Sequence, residues 1–446
     1  MLTYSETTAK IRYDTLSGLS FACFVLMGTF FNQSRIVFGF NISLSDFFLI
    51  PVFSYFLFSG RLRIKLGYLS FFLALSFVGF LAAVFFVPSI TPFNASSNAV
   101  FSGYIKLIAS FLYFLVGFSV SEKKWSEALL KGYAIAATAI GLIGASLAIS
   151  GAGLFRSQMF AGNIRLQGLM SDPNYFSVIQ ITALVFFLRF RSMRRIVRFL
   201  VSLTLFISIV ASGSKTGMLT LAIYLVFFFF ERAYRSRLRI SFVIVICIAL
   251  PLIALLYSSV SSILGEFLDS LTKIIPAFRR VSLLFTDFGS AIAESGSSRD
   301  SIWNLGFSMI GISPVFGIGF GMYTGVASVI FGIRKLAHNT FLQIFAEWGI
   351  PLAMCFFSFV MLQITKASQD KRKGDYVVVI ARDIVIVLLI GSMGVSLNNA
   401  RMFWFFLGLL SMSLESCSKF EEEEKTRSFL ATGNASPTNT FHKRQP

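Results

Sequence analysis

Hydrophobic runs separated by short polar and basic segments make up most of the chain. A helix needs about 20 predominantly apolar residues to cross the hydrocarbon core of a bilayer. The runs predict spans near residues 16–31, 44–59, 67–87, 100–120, 127–149, 174–190, 199–212, 216–230, 240–258, 339–363, 377–396 and 401–416. We therefore predict an all-α integral membrane protein with about twelve transmembrane helices.

The composition excludes a soluble globular protein. Of the 446 residues, 55% are hydrophobic, 54 are Phe and only 13% are charged, whereas soluble domains carry about 25% charged residues. The net charge of +18 could suggest nucleic acid, but the Lys and Arg residues flank the apolar runs and form no stripe. The predicted partner is therefore a lipid bilayer and not nucleic acid. The four cysteines have no paired spacing, so neither a disulfide framework nor a metal site is indicated.

Clusters of Lys and Arg fall between alternate spans. They lie at 61–65, 123–124, 189–198, 232–239 and 366–373. Because short cytoplasmic loops are rich in basic residues, these clusters predict that both termini are cytoplasmic. One large outer loop, residues 259–338, then separates the ninth and tenth spans of a membrane domain at 1–417. Residues 418–446, with acidic residues from Glu421 to Glu424, are predicted to form a disordered cytoplasmic tail.

His338 is one of two histidines and stands where the large outer loop ends and an apolar run begins. It could be a structural residue at the start of a helix, with its hydrogen bonds completed by backbone or water. An imidazole at a membrane surface could equally act near neutral pH, as a base for a hydroxyl proton or as a cation for a phosphate. Both interpretations stay open from position alone.

A polar stripe follows His338 down the next apolar run, because Asn339, Gln343 and Glu347 recur every four residues. Glu347 is expected about 13 Å below His338 along a helix. A carboxylate at that depth is costly and faces protein or water. It is therefore either a functional group or a structural hydrogen-bonding partner of a neighbouring span.

Arginines in the outer loop are candidate phosphate ligands. Arg299 lies in the polar segment 297–304, and Arg279 and Arg280 precede it. A guanidinium presents a planar fork that matches phosphate oxygens. The alternative for Arg299 is an ion pair on a solvated helix, with Asp300 as one partner.

Two further segments could approach an anion. Gly317-Ile-Gly-Phe-Gly321 permits positive φ angles, so its amides could surround an anion or simply form a tight turn. Ser212-Gly-Ser-Lys-Thr-Gly217 lacks the spacing of a nucleotide-binding loop, but it places Lys215 at the outer surface. Asp172 is expected to begin a helix, and Arg165 adds a cation before it. Cations from several outer loops make a lipid pyrophosphate a plausible ligand.

These motifs together resemble the O-antigen ligase and polymerase family of bacterial envelopes. The resemblance covers about residues 160–355 and rests on Asp172-Pro-Asn-Tyr, Ser212-Gly-Ser-Lys-Thr-Gly, Arg299 with Trp303, Pro314-Val-Phe-Gly-Ile-Gly and His338-Asn-Thr-Phe-Leu-Gln-x-x-x-Glu-x-Gly349. It implies a polytopic inner-membrane glycosyltransferase. Such an enzyme takes glycan from undecaprenyl pyrophosphate on the periplasmic side, without a nucleotide sugar, an essential metal or another cofactor.

By analogy with the family, Arg299 is expected to contact the pyrophosphate, and His338 to activate the acceptor or contact phosphate. The expected binding residues are Arg165, Lys215, Arg279, Arg280 and Glu347. The chain has no Asp-x-Asp motif, which disfavours a metal-dependent lipid-phosphate sugar transferase and leaves arginines to stabilise the leaving group. Lys215 departs from the family pattern, where Arg is usual, so a bidentate contact there is in doubt.

The function predicted from these observations is that of an O-antigen polymerase, which moves a growing lipid-linked glycan onto a new lipid-linked repeat unit. Its expected partners are a chain-length regulator and a flippase of the same pathway. The nearest alternative is a ligase that transfers the glycan to lipid A core. A lipid-linked glycan flippase is an alternative of another class, but it would be expected to carry paired halves and charged residues lining its spans.

Overall fold

The fold is given by a computed structural model that describes residues 2–37, 40–153, 155–190, 192–234, 270, 272–273, 275–286, 299–369 and 375–414. The predicted ninth span at 240–258 and the predicted tail at 418–446 lie outside these residues. Most of the outer loop between 259 and 298 lies outside them as well.

The first part of the chain forms helices that follow the predicted apolar runs. These are α1 (Leu2–Thr29), α2 (Leu44–Phe58), α3 (Leu66–Leu81), which continues through a π-helical turn (Ala82–Phe86) into α4 (Val87–Ile90), α5 (Ser97–Ser119) and α6 (Lys123–Ser150). A short hairpin of β1 (Arg35–Val37) and β2 (Phe40–Ile42) precedes α2. Ser43 begins α2 in a capping box, because its backbone N–H donates to Asp46 Oδ2 at 3.0 Å and its side chain accepts from Ser45.

The second part contains more short elements. They are α7 (Arg156–Met159), β3 (Phe160–Ala161), β4 (Arg165–Leu166), α8 (Pro173–Arg189), α9 (Arg195–Ala211), α10 (Lys215–Tyr234), α11 (Arg279–Thr286), α12 (Arg299–Ile312), α13 (Tyr323–Phe331), α14 (Thr340–Trp348), α15 (Ile350–Ser368), α16 (Tyr376–Gly391) and α17 (Arg401–Leu414). The predicted helix start at Asp172 is confirmed, since its carboxylate accepts from two backbone N–H groups of the first turn of α8.

Among the described residues, five helical stretches are long and apolar enough to cross a membrane: Leu66–Ile90, Ser97–Ser119, Lys123–Ser150, Lys215–Ala233 and Ile350–Ser368. Four shorter apolar helices accompany them, at Leu16–Asn32, Leu44–Phe58, Ser301–Ile312 and Arg401–Leu414. The chain is therefore a mostly helical, multi-pass membrane protein. The total of twelve spans and their orientation stay predictions.

The predicted span at 339–363 is interrupted at Gly349, which separates α14 from α15. Gly349 has φ +77 and ψ 162, a conformation that no helix contains and that glycine adopts without a steric penalty. A Cβ at this position would lie 2.2 Å from the carbonyl oxygen of Val315. The short helix α14 is thereby a separate element from the spanning helix α15.

Helices α5 and α17 cross at two glycines. A Cβ on Gly117 would lie 2.2 Å from the carbonyl oxygen of Phe405, and one on Gly408 would lie 2.2 Å from that of Phe114. Such close backbone contact is typical of small residues in membrane helix pairs. The crossing joins the two helices that supply the cations described below.

A buried charge network joins α8, α10 and α16. Arg382 and Asp383 are fully buried. Arg382 Nη1 donates to Glu231 Oε1 at 2.7 Å, and Arg189 Nε donates to Asp383 Oδ2 at 2.6 Å. Two guanidinium groups thus face two carboxylates, which balances the charge inside the helix bundle. The network contacts the last residue of α8, at the opposite end of that helix from Asp172.

Candidate functional site

Two of the sequence motifs meet at Arg165. Its Nε donates to the carbonyl oxygen of Ser212 at 3.1 Å, and its Nη2 donates to Asn174 Oδ1 at 2.9 Å. The hydroxyl of Ser214 donates to the same Asn174 oxygen at 2.9 Å. We call these four residues the Arg165 cluster. The cluster fixes the start of α8 against the turn between α9 and α10.

The turn between α9 and α10 also contacts the segment that leads into α11. Gly213 has φ +57, and a Cβ there would lie 2.7 Å from the carbonyl oxygen of Ala277. Only glycine fits both the conformation and the contact. Arg279 follows two residues after Ala277, and it is exposed, as is the next residue. The predicted binding residues on these neighbouring segments are Arg165, Lys215, Arg279 and Arg280.

His338 is exposed and has a left-handed backbone, with φ +46. A non-glycine residue in this conformation is held there by its surroundings. Asn339 begins α14, and its Oδ1 accepts the backbone N–H groups two and three residues further on, at 3.0 and 3.2 Å. The N–H of Thr340 donates to the carbonyl oxygen of Ser392 at 2.8 Å. The backbone that follows His338 is thus tied to both α14 and the end of α16.

Arg299 is the first residue of α12. This helix packs closely on α14, because a Cβ on Gly306 would lie 2.9 Å from Leu342 Cδ1. The helix that begins at Arg299 therefore touches the helix that begins just after His338. This contact joins the two segments that carry the predicted catalytic residues.

Glu347 is buried near the end of α14, with 2% of its surface exposed. Gln343 Nε2 donates to its Oε1 at 3.0 Å, and the backbone N–H groups of Gly321 and Tyr323 also donate to its carboxylate. These donors stabilise a charge that would be costly to bury alone. The predicted polar stripe is confirmed for Gln343 and Glu347, which lie one turn apart on the same face.

The segment Gly317–Gly321 forms the tight turn that its sequence allows, with three glycines at positive φ. The N–H of Ile318 donates to the carbonyl oxygen of Ala346 at 2.9 Å, and the N–H of Gly319 to that of Glu347 at 3.1 Å. The turn therefore caps the end of α14. The backbone N–H of Gly321 donates to the carboxylate of Glu347, so the anion that this turn contacts is a side chain of the protein itself.

A cavity of about 720 Å³ opens beside Glu347, a volume in the range of small-molecule sites. Its polar lining residues include Asp46, Lys106, Tyr113, Tyr175, Tyr323, Gln343, Glu347, Ser396, Asn398, Asn399 and Arg401. Three of them carry buried polar atoms without a hydrogen-bond partner in the described part of the chain: Tyr323 Oη, Gln343 Oε1 and Ser396 Oγ. Buried polar atoms usually have partners, so the cavity fits a ligand with several hydrogen-bonding groups.

Two cations of the cavity, Lys106 and Arg401, are absent from the sequence predictions. Lys106 lies within the span α5, and Arg401 at the first residue of α17. An ionisable residue inside a span is a functional-site candidate by default, and this signal was available for Lys106. Arg401 lies at the edge of an apolar run, where basic residues are common, so its position gave no comparable signal.

Tyr323 adds a hydroxyl donor to the same cavity. Burial raises the pKa of Tyr323 to about 12, and the charge of Glu347 contributes to the rise. The phenol therefore stays protonated at neutral pH and can donate a hydrogen bond to a ligand.

Of the predicted site residues, Glu347 lines the cavity directly. His338 lies two residues after Leu336, and Leu336 lines the cavity. The Arg165 cluster is next to the cavity in sequence, because its member Asn174 precedes the lining residue Tyr175. Within the described residues, the lining does not include Arg165, Lys215, Arg279 or Arg280. These four sequence-predicted cations therefore do not form the wall of the cavity.

Comparison with known protein families matches residues 199–357 to the family described as O-antigen ligase. The resemblance to the O-antigen polymerase and ligase family is thereby confirmed over these residues. The match includes Lys215, Arg279, Arg280, Arg299, His338 and Glu347, whereas Lys106, Arg165 and Arg401 lie outside it. No curated protein matches the chain.

Proposed function

We propose that this multi-pass membrane protein is a glycosyltransferase that acts on surface polysaccharide. The narrower proposal is that it is an O-antigen polymerase, and the match to the O-antigen ligase family supports the general class. Its donor would be a glycan chain on undecaprenyl pyrophosphate, and its acceptor a new lipid-linked repeat unit. The cavity beside Glu347 carries the proposal, because it combines the Lys106 ammonium, which suits a phosphate, with unpartnered polar atoms suited to sugar hydroxyls.

In the proposed reaction, an acceptor hydroxyl oxygen attacks the anomeric carbon of the donor glycan. The bond from that carbon to the pyrophosphate oxygen breaks, and its electron pair stays on the leaving pyrophosphate. The hydroxyl proton passes to a base or to the phosphate. His338 would accept this proton or contact the phosphate, and Arg299 would stabilise the leaving group in place of a metal ion.

The predicted basic loops support an inner-membrane location with the cavity open toward the periplasm. Arg165, Lys215, Arg279 and Arg280 would then attract the lipid pyrophosphate toward the cavity. Glu347 would hold the Gly317–Gly321 turn in place at the cavity wall, through the donors described above.

A deletion strain tests the proposal. Lipopolysaccharide that carries a single repeat unit is expected after deletion, because a polymerase would be missing. Polymer stranded on the carrier lipid would instead identify the second candidate, a ligase that transfers finished chains to lipid A core. The family description, O-antigen ligase, is the observation that favours this candidate.

Variants test the proposed residues. We expect His338→Ala and Arg299→Ala to abolish polymer while the protein still accumulates in the membrane. Lys335→Ala is a matched control, because it removes an exposed cation three residues before His338. Long-chain product in either site variant would remove that residue from the mechanism.

Reconstitution separates transfer from transport. Purified protein in liposomes is expected to lengthen lipid-linked glycan. Movement of the glycan across the bilayer with no change in its length would replace the transferase proposal with that of a flippase.

A further inference from the structure

Thr340, the first residue of α14, is bound to the loop between α16 and α17 by three hydrogen bonds. Its backbone N–H donates to the carbonyl oxygen of Ser392 at 2.8 Å. Its hydroxyl donates to the carbonyl oxygen of Val395 at 2.8 Å and accepts from the backbone N–H of Leu397 at 2.7 Å. These residues are buried, and a buried backbone group without a partner is costly. One side-chain hydroxyl thus satisfies both a donor and an acceptor of the loop.

The same loop, residues 392–400, forms part of the cavity wall. Ser396, Asn398 and Asn399 line the cavity, and Ser396 Oγ is one of the buried polar atoms without a hydrogen-bond partner in the described part of the chain. The two residues that flank Ser396 are those bound by the Thr340 hydroxyl. Thr340 therefore joins the start of α14 to a polar stretch of the cavity wall.

The loop also contacts the helix that begins at Lys215. A Cβ on Gly394 would lie 2.6 Å from Thr216 Oγ1, so only glycine leaves room for this approach. Thr216 is buried and directly follows Lys215 in α10. One loop therefore contacts both the segment that carries Lys215 and the segment that carries His338.

Only Asn339 separates Thr340 from His338, whose φ of +46 is unusual for a residue with a side chain. The loop has anchors besides Thr340, because Trp404 Nε1 donates to the carbonyl oxygen of Asn398 at 2.8 Å. Without the Thr340 hydroxyl, we therefore expect the start of α14 to shift more than the loop. The imidazole would shift with it, and a displacement of about 1 Å can slow a reaction roughly 100-fold.

We propose that Thr340 is a positioning residue for glycosyl transfer. It holds His338 in register with the loop at residues 392–400, so that the imidazole meets an acceptor hydroxyl bound at this wall of the cavity. The inference rests on the proposed function and adds to it a residue that acts through His338. The role requires the hydroxyl of Thr340 and not its volume, because only the hydroxyl binds both strands of the contact.

Transfer kinetics in liposomes test this role, with the lipid-linked repeat unit from the deletion strain as acceptor. Thr340→Val removes the hydroxyl and nearly keeps the volume. The void beside Thr340 encloses only about 10 Å³, which leaves little room for a water to replace the hydroxyl. We expect kcat to fall about tenfold or more and KM for the acceptor to change less than about twofold, because alignment is lost and binding groups remain.

Thr340→Ser keeps the hydroxyl and is expected to retain roughly half of kcat or more. If Thr340→Val does not accumulate, Thr340→Ala takes its place, since alanine also removes the hydroxyl and puts no methyl group against the loop. A folded Thr340→Val or Thr340→Ala chain with unchanged kcat would overturn the positioning role. A loss of kcat in Thr340→Ser as large as in Thr340→Val would overturn it as well.

Thr182→Val is the matched control. Thr182 is fully buried on α8, and its hydroxyl oxygen lies 2.6 Å from the Tyr133 hydroxyl and 2.7 Å from the carbonyl oxygen of Ile179. The described lining of the cavity does not include it. The same substitution should therefore lower the unfolding temperature but leave kcat within about twofold. Equal losses of kcat in the two Val variants would reduce Thr340 to a structural residue.

Hydrogen exchange separates a failure of this inference from a failure of the proposed function. Faster exchange of the Leu397 amide is expected in Thr340→Val and not in Thr340→Ser, because only valine leaves this N–H without its partner. If the unmodified chain transfers no glycan, the proposed function is rejected, and such a difference in exchange still supports the link between α14 and the loop. If the unmodified chain is active and Thr340→Val matches it in both kcat and exchange, the proposed function stands and the role of Thr340 is overturned.

Discussion

Arg401 holds Asp46 in a two-pronged contact, with Nε 2.6 Å from Oδ1 and Nη2 2.5 Å from Oδ2. The pair joins the first residue of α17 to the first turn of α2, and the hydroxyl of Tyr113 donates to the same carboxylate at 2.9 Å. All three residues line the large cavity. The contact therefore fixes the position of one cavity wall. It also pairs the charge of Arg401 with that of Asp46.

Arg401→Lys is expected to destabilise the protein by about 2 kcal/mol, because lysine keeps the charge but loses the planar fork that contacts both oxygens. Thermal unfolding in detergent measures the change. Arg61→Lys is the control, since the Arg61–Glu122 pair is largely exposed and such pairs contribute roughly 0–1 kcal/mol. Equal effects of the two substitutions would contradict the structural role of the Arg401–Asp46 pair.

Gly103→Ala is expected to displace the Gly317–Gly321 turn. A Cβ on Gly103 would lie 2.2 Å from the carbonyl oxygen of Phe320, so the turn or α5 must shift, at about 1–3 kcal/mol. Gly18→Ala should be neutral or stabilising, because its Cβ would meet nothing within 4 Å and alanine favours a helix. Thermal unfolding and polymer synthesis are the measurements. A wild-type level of both for Gly103→Ala would mean that the turn does not pack as described.

Substitutions of His338 separate its backbone strain from its chemistry. Because its φ is +46, His338→Gly should be more stable than His338→Ala by about 1 kcal/mol, and His338→Asn should fall between them. All three should lack activity if the imidazole takes part in the reaction. Unfolding temperatures and polymer length are compared across the series. Activity in both the Gly and the Asn variants would assign His338 a purely conformational role.

Arg382→Ala is expected to lower the free energy of unfolding by on the order of 3–5 kcal/mol, because it leaves the buried Asp383 and the largely buried Glu231 each short of a partner. Arg382 donates to both Glu231 and Asp383 within 3.0 Å. Lys131→Gln removes a partly exposed pair with Glu127 and a weak contact with the Phe190 ring, and it should cost about 1 kcal/mol or less. Accumulation in the membrane and thermal unfolding report the difference. A small loss for Arg382→Ala would mean that water enters the network.

The helices could be predicted because apolar runs and caps are local signals. The first turn of α8 follows from Asp172-Pro173, and most other described helices begin and end close to the hydrophobic boundaries. The break at Gly349 was not predicted. Gly349 and Pro351 are residue types that often end a helix, but the apolar run continues past both of them. What interrupts the helix is a tertiary contact with Val315.

The site was predicted less completely than the helices. The sequence grouped Gln343 with Glu347 correctly, since their spacing sets a shared face. It could not show that the backbone donors to Glu347 come from Gly321 and Tyr323, or that Lys106 lies in the same cavity. Those relationships depend on which spans are neighbours, and hydrophobicity alone carries no information on that choice.

The glycine crossing of α5 and α17 has a mechanical consequence. Because the backbones are in close contact at Gly117 and Gly408, we expect α5 and α17, which carry Lys106 and Arg401, to move together. A change in cavity width during a reaction cycle would then originate in the opposite wall, where α14 ends at Gly349. The enzyme would open and close around two stationary cations.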